Sequence, residues 1–291
     1  MAKINLKIIL LLVFSNSLLI LILPKLSTFI SIKLHNSYSL GLFNLTAIYS
    51  LLLVILLILI LKFTTNEKSS FFGFKSLNKN NLKLAFYALF FLFPVPLIGR
   101  ILDPSFDSWY TSSYNLSSFL ALIYFLINLP LFIIKEELIE RSLIQNYLSK
   151  FYKSTVVILV ISINFALLHF FLIPNTIYHS VITVISVFLG SLVISSLYEK
   201  TKNVFLTIIV HLLYNFIVFY QIILHNNNNL FGESILFITW AILFLITFKS
   251  FFKEIKPLFS KSPQKLNSYD IIFLIIFSLL PILFLYLQRF L

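Results

Sequence analysis

The chain of 291 residues contains no cysteine. Disulfides, thiolate metal sites and cysteine nucleophiles are therefore excluded. Glycine is scarce as well. The five residues Gly41, Gly73, Gly99, Gly190 and Gly232 are scattered, whereas dinucleotide- and phosphate-binding loops need clustered glycines. Charge is also thin: Asp, Glu, Lys and Arg make up 11% of the chain, against about 25% in a soluble domain. What fills the chain instead is apolar, 59% hydrophobic with 34 Phe and a mean hydropathy of +0.99. A soluble globule of this composition would expose surface that aggregates, and a disordered chain needs more charge. A polytopic membrane protein remains.

Apolar runs long enough to cross a bilayer (roughly 17–25 residues) fall near 8–24, 40–61, 84–99, 117–135, 155–173, 177–198, 203–224, 234–248 and 271–288. Leu, Ile and Phe dominate without strict alternation, which favours helices over a β-barrel. The expected fold is an all-α transmembrane bundle of about eight to nine spans, the third and eighth being short. With the N-terminus inside, 18 of the 22 Lys and Arg lie on the cytoplasmic side and 4 outside. Cytoplasmic loops carry such an excess, so this orientation is expected in a multi-pass cell-membrane protein. The net charge of +12 is then explained by topology, and nucleic acid is not an expected partner. Lys3 and Lys7 before the first apolar run look like a secretory signal, but Pro24-Lys25-Leu26 replaces a cleavage site, so an uncleaved anchor is expected. Segments 63–82 and 253–269 read as polar connectors. Lys exceeds Arg 19 to 3 and Asn and Ile are frequent, as in an AT-rich bacterial genome.

A charge at the bilayer centre costs about 2.5–3.5 kcal/mol on insertion scales, so the exceptions stand out. Three of the seven Glu occur together in Lys135-Glu136-Glu137-Leu138-Ile139-Glu140-Arg141. On a helix Glu136 and Glu140 share one face, and Glu137 and Arg141 share another in the favoured i,i+4 order. Two adjacent acids in different surroundings can take different roles. A solvated helix end with one salt bridge would look the same. His169 lies in the fifth span, and His211 lies in the seventh, with Asn215 one turn later. Glu and His suit water activation, and Asn with a second His suits an oxyanion. His179 reads as interfacial, and His35 and His225 as solvated loop residues.

These clusters resemble the CPBP family of CAAX-protease and bacteriocin-processing intramembrane proteases. Its motif E-E-x-x-x-R is matched by Glu136, Glu137 and Arg141, F-x-x-x-H by Phe165 and His169, and H-x-x-x-N by His211 and Asn215. Gly190 to Asn203 also looks like the family's link between its last two motifs. The resemblance spans roughly 117–222, dividing the chain into N-terminal helices 1–116, a CPBP-like core 117–222 and C-terminal helices 223–291. It implies an endopeptidase acting on a membrane-associated peptide or protein: a bacteriocin, a signalling peptide or a lipidated C-terminus. It further implies that Glu136 activates water with His169, that His211 and Asn215 stabilise the oxyanion, and that Glu137 and Arg141 orient the site. The family contains metal-dependent and glutamate-based kinds. Should zinc or another divalent metal bind, Glu136, His169 and His211 are the candidate ligands. Two positions depart from the family pattern: Glu140 stands where an aromatic is common, and Ser142 where Gly is common.

Two rival readings keep the same topology. One is a non-catalytic immunity or partner-binding membrane protein. The other is a transporter with a carboxylate proton relay, against which stands the lack of paired Gly/Pro-broken spans. Depth poses a difficulty for the protease. Glu136 is about 20 residues into a span entered from outside, and His169 about 15 into one entered from inside, at ~1.5 Å each. Their meeting requires a break or strong tilt near Pro130, or a helix from about 131 to 149 sunk into the bundle.

Overall fold

The computed structural model describes residues 68–102, 119–170, 177–226 and 229–259, with scattered positions in 51–62 and 266–279. The expected span near 8–24, and much of those near 40–61 and 271–288, lie outside the described residues. Within them the fold is helical, without a strand. The helices are α1 (Lys79–Phe91), α2 (Pro94–Leu102), α3 (Phe119–Glu137), α4 (Ser154–Leu168), α5 (Ile177–Thr201), α6 (Val204–Asn226) and α7 (Leu230–Phe259). Between α3 and α4 the chain winds as a π-helix over Leu138–Gln145 and a last α-turn, Asn146–Leu148.

Local chemistry sets most of these ends. Asn78 caps α1, its Oδ1 accepting the Asn81 N–H at 2.8 Å. The helix pauses at Leu92-Phe93 because Pro94 has no N–H to continue the ladder, and it restarts with Pro94 in the first-turn position that proline tolerates. Asn203 caps α6 through the Phe205 N–H at 3.1 Å. Asn229, the last residue of the tract Asn226–Asn229, caps α7 through the Gly232 N–H at 2.9 Å. His225, expected in a loop, belongs to the last turn of α6, 3.2 Å from Glu233. That apolar helix runs on past the expected span end. Residues 253–259, read as connector, likewise continue α7.

Among the described residues four apolar stretches are long enough to cross a membrane: Lys79–Gly99, Tyr178–Thr201, Val204–His225 and Leu230–Phe259. Ser154–Leu168 is a shorter apolar helix. The phenylalanines are used in packing. Phe91 stacks on Phe248 at 5.4 Å and Phe93 meets Phe237 edge-on at 4.9 Å, locking α1 to α7. A second apolar cluster surrounds the π-helical segment, with Leu143, Ile144, Leu148, Ile161 and Tyr198 in its centre.

Segments assigned to one side of the membrane by their cations do meet at one end of the bundle. Lys200 pairs with Glu254 at 3.2 Å, and Thr155 donates to the Leu258 carbonyl. Tyr152 donates to Asp270, and Asn203 donates to the carbonyls of Lys75 and Ser76. The connector before α1 is more than a polar loop. Phe72 is fully buried, and its carbonyl accepts the Ser142 hydroxyl at 2.5 Å. The Phe71 carbonyl accepts the Asn146 amide, and Gly73 accepts the Val204 N–H at 3.0 Å. The strap is therefore pinned to the π-helical segment and to the α5–α6 turn.

Gly73 makes the strap possible. Its φ is +81°, and a Cβ there would meet the Tyr198 hydroxyl at 3.1 Å and the Val204 nitrogen at 3.2 Å. Gly73→Ala is expected to destabilise the fold by about 1–3 kcal/mol, from the left-handed backbone and the forced contact. Thermal unfolding in detergent measures it.

Candidate active site

The π-helical segment brings the charged residues indoors. All eight residues from Leu138 to Gln145 are buried, including Glu140, Arg141, Ser142 and Gln145. α3 runs through Pro130 without a break, so the break considered there is not seen. Single π-turns inside α-helices recur at functional sites. Here the wound segment displays two faces. Arg141 and Gln145 turn to α5, while Ser142 and Asn146 turn to the strap.

Arg141 is the centre of a buried polar network. Its NH1 donates to the Ser195 hydroxyl at 2.8 Å and its NH2 to the Ser191 hydroxyl at 3.0 Å. The two serines lie one turn apart on α5. The guanidinium carbon sits 5.4 Å from the Phe165 ring centre, a cation–π contact. Nε faces Glu137 Oε2 at 3.4 Å, with both side chains fully buried. That contact is an ion pair without a well-formed hydrogen bond. The other oxygen of Glu137 takes Nδ1 of His211 at 2.9 Å. A single carboxylate thus bridges Arg141 and His211.

The histidines share a pattern. Nδ1 of His169 lies 2.8 Å from the Phe165 carbonyl, which can only accept, so Nδ1 carries the hydrogen and Nε2 the lone pair. His211 Nδ1 donates likewise to ionised Glu137. The Phe165 ring lies 4.8 Å from His169 and 6.1 Å from His211, placing both imidazoles around one aromatic. Glu136 and His211 are both near enough to act electrostatically on His169. Asn215 donates its amide to the His211 carbonyl one turn back, at 2.9 Å, which leaves its second N–H for another acceptor.

Glu137, Arg141 and His211 are therefore joined by direct bonds and His169 through Phe165, while Glu136 stands beside Glu137 in the last turn of α3. Sequence reasoning missed Ser191, Ser195 and Gln145. Gln145 donates to the Ser195 carbonyl at 2.9 Å and to Glu199 at 3.2 Å. Glu199 also accepts from Ser149, Ser154 and Lys202, closing the network at the cation-rich end. Burial holds the Lys202 ammonium below the ordinary lysine range, against the pull of Glu199. The only available signal was the four-residue spacing of Ser191 and Ser195 in an otherwise apolar run.

Among the described residues no three His, Cys, Asp or Glu side chains are grouped so that they could hold a metal ion.

Residues 118–217 match the family model described as Rce1-like, type II CAAX prenyl endopeptidase Rce1-like. The match covers about a third of the chain, runs from the start of α3 into α6, and contains all seven motif residues. The matched segment holds the residues that carry the CPBP resemblance read in the motifs. No curated protein and no solved structure matches the chain.

Removing one partner from a buried ion pair costs about 3–5 kcal/mol, because the other charge is stranded. Arg141→Met is expected to lower stability by that amount. Arg141→Lys is not expected to restore it, since an ammonium cannot reach Ser191, Ser195 and Glu137 with one planar fork. Melting temperatures of the two variants test both statements.

Proposed function

We propose that the protein is an intramembrane endopeptidase whose cavity is formed by α3, α4 and α6. The observation that carries this reading is the Glu137 carboxylate held between Arg141 and Nδ1 of His211. It fixes the tautomer and direction of an imidazole inside a protein core, an arrangement a merely solvated helix end does not need. Glu136 acts as general base on a water that His169 Nε2 helps to position. The water oxygen attacks the peptide carbonyl carbon, and its proton passes to Glu136. The developing oxyanion accepts a hydrogen bond from the second N–H of Asn215, and one from Nε2–H of His211 when that ring is doubly protonated against the Glu137 carboxylate, groups positioned before the charge forms. Glu136 then returns the proton to the leaving amine as the C–N bond breaks. These steps use protein groups alone.

The substrate class follows from setting and family. Four apolar helices put the site within reach of a bilayer, and the matched family model bears the name of CAAX prenyl endopeptidases. A peptide held at the membrane surface near its C-terminus, by a lipid or an apolar segment, is the substrate we infer. The cation-rich end of the bundle is taken as cytoplasmic under the positive-inside rule, with the bilayer crossed about eight to nine times.

Cleavage of a lipid-anchored reporter peptide by protein in proteoliposomes tests this directly. Glu136→Ala and His169→Ala are expected to lower the rate by about 10²-fold or more. Asn215→Ala should lower it by roughly 10²–10³-fold. All three should melt as the parent does. Undiminished cleavage in Glu136→Ala would overturn the mechanism.

A further inference from the structure

Glu140 has no role in the steps above, yet it is among the most enclosed residues of the site. It is 1% exposed, and neither carboxylate oxygen has a hydrogen-bond partner. No cation lies within ion-pairing distance among the described residues. Its immediate neighbour Arg141 is turned to Ser195 and Ser191 by hydrogen bonds and to Glu137 by the ion pair. Lys135, one π-turn back, lies over the Phe132 ring at 5.0 Å. The charged groups acting on Glu140 are Arg141, Glu137, Glu136 and Lys135, all on its own helix.

The elements packed against this segment supply no partner either. From α4 comes His169, whose Nδ1 is held by Phe165, and from α6 comes His211, held by Glu137. α5 contributes Glu199, paired with Lys202 from the turn after it, and Tyr198, whose hydroxyl makes no bond. An ionised carboxylate enclosed this way costs several kcal/mol. A protonated one leaves only an unpaired dipole. If ionised, Glu140 would also compete with Glu137 for the neighbouring guanidinium.

We propose that Glu140 is a positioning residue carried as a neutral acid, so that Arg141 is left to Glu137 and, through Glu137, holds His211. Ionisation of Glu140 draws Arg141 away and loosens the imidazole. This rests on the protease reading only for its effect on rate; its effect on folding does not.

The sign follows from linkage. A carboxyl neutral in the folded protein and ionised in the unfolded chain makes the fold bind one proton more, so stability falls as pH rises, by up to about tenfold in the folding equilibrium per pH unit. The contribution is complete below the unfolded value, about 4.3, and gone once the folded group ionises.

The test compares wild type with Glu140→Gln, a neutral isostere, in proteoliposomes and detergent. Expected are a protonated-carboxyl carbonyl stretch near neutral pH in the wild-type minus Glu140→Gln infrared difference, and a flatter decline of melting temperature with pH in Glu140→Gln. Cleavage by Glu140→Gln should stay within about twofold of wild type near neutral pH and lose the alkaline fall that wild type shows. A carboxylate stretch in the difference spectrum, parallel melting profiles, or a Glu140→Gln protein that fails to fold would overturn the proposal. If the infrared and melting results hold while no peptide is cleaved by either protein, the protease reading has failed and the protonated Glu140 has not.

Discussion

A buried guanidinium is the constraint around which this structure is arranged. Arg141 carries a charge that cannot be neutralised by losing a proton, inside a core where unpaired charge is costly. Everything near it answers that requirement. Glu137 supplies the counter-charge, α5 supplies two hydroxyls one turn apart, and Phe165 supplies a ring face. Ion pairs of this kind add little net stability once desolvation is counted. What they fix is geometry, and here the geometry extends to His211.

The π-helical winding is the backbone's part in this. α3 enters as a regular apolar helix, and the wider turn begins at Leu138, where charged and apolar residues must both be buried. Leu143 and Ile144 fill the apolar cluster while Arg141 and Gln145 face α5 and Ser142 and Asn146 face the strap. The strap residues Phe71 to Gly73 accept bonds from both the π-helical segment and the start of α6. The loop before α1 and the motif helix are thus mechanically joined, and Ser142, a departure from the family pattern, makes one of the bonds.

Much of this was legible in the sequence, because a chain poor in charge makes each enclosed charge conspicuous. Glu136, Glu137, Arg141, His169, His211 and Asn215 stood out against apolar runs, and the i,i+4 relation of Glu137 to Arg141 survives in the fold. The remainder was hidden for physical reasons. Serines one turn apart are common in apolar helices, so Ser191 and Ser195 carry no mark until Arg141 is placed against them. Phe72 sits between lysines and polar residues, and only the packing reveals its burial. Helical periodicity assumes a fixed turn, so a π-helical segment cannot be read from it. The depth of the helix after Pro130 is likewise something hydropathy does not encode.

The central claim is that Arg141, Glu137 and His211 act as one unit in building a hydrolytic site. A double-mutant cycle on cleavage rate, with Glu137→Gln, Arg141→Met and the pair in one chain, tests it most directly. Residues that act as a unit are non-additive. The account predicts that the double variant is about as slow as the slower single variant. Losses that multiply, each substitution costing the same whether or not the other is present, would contradict it.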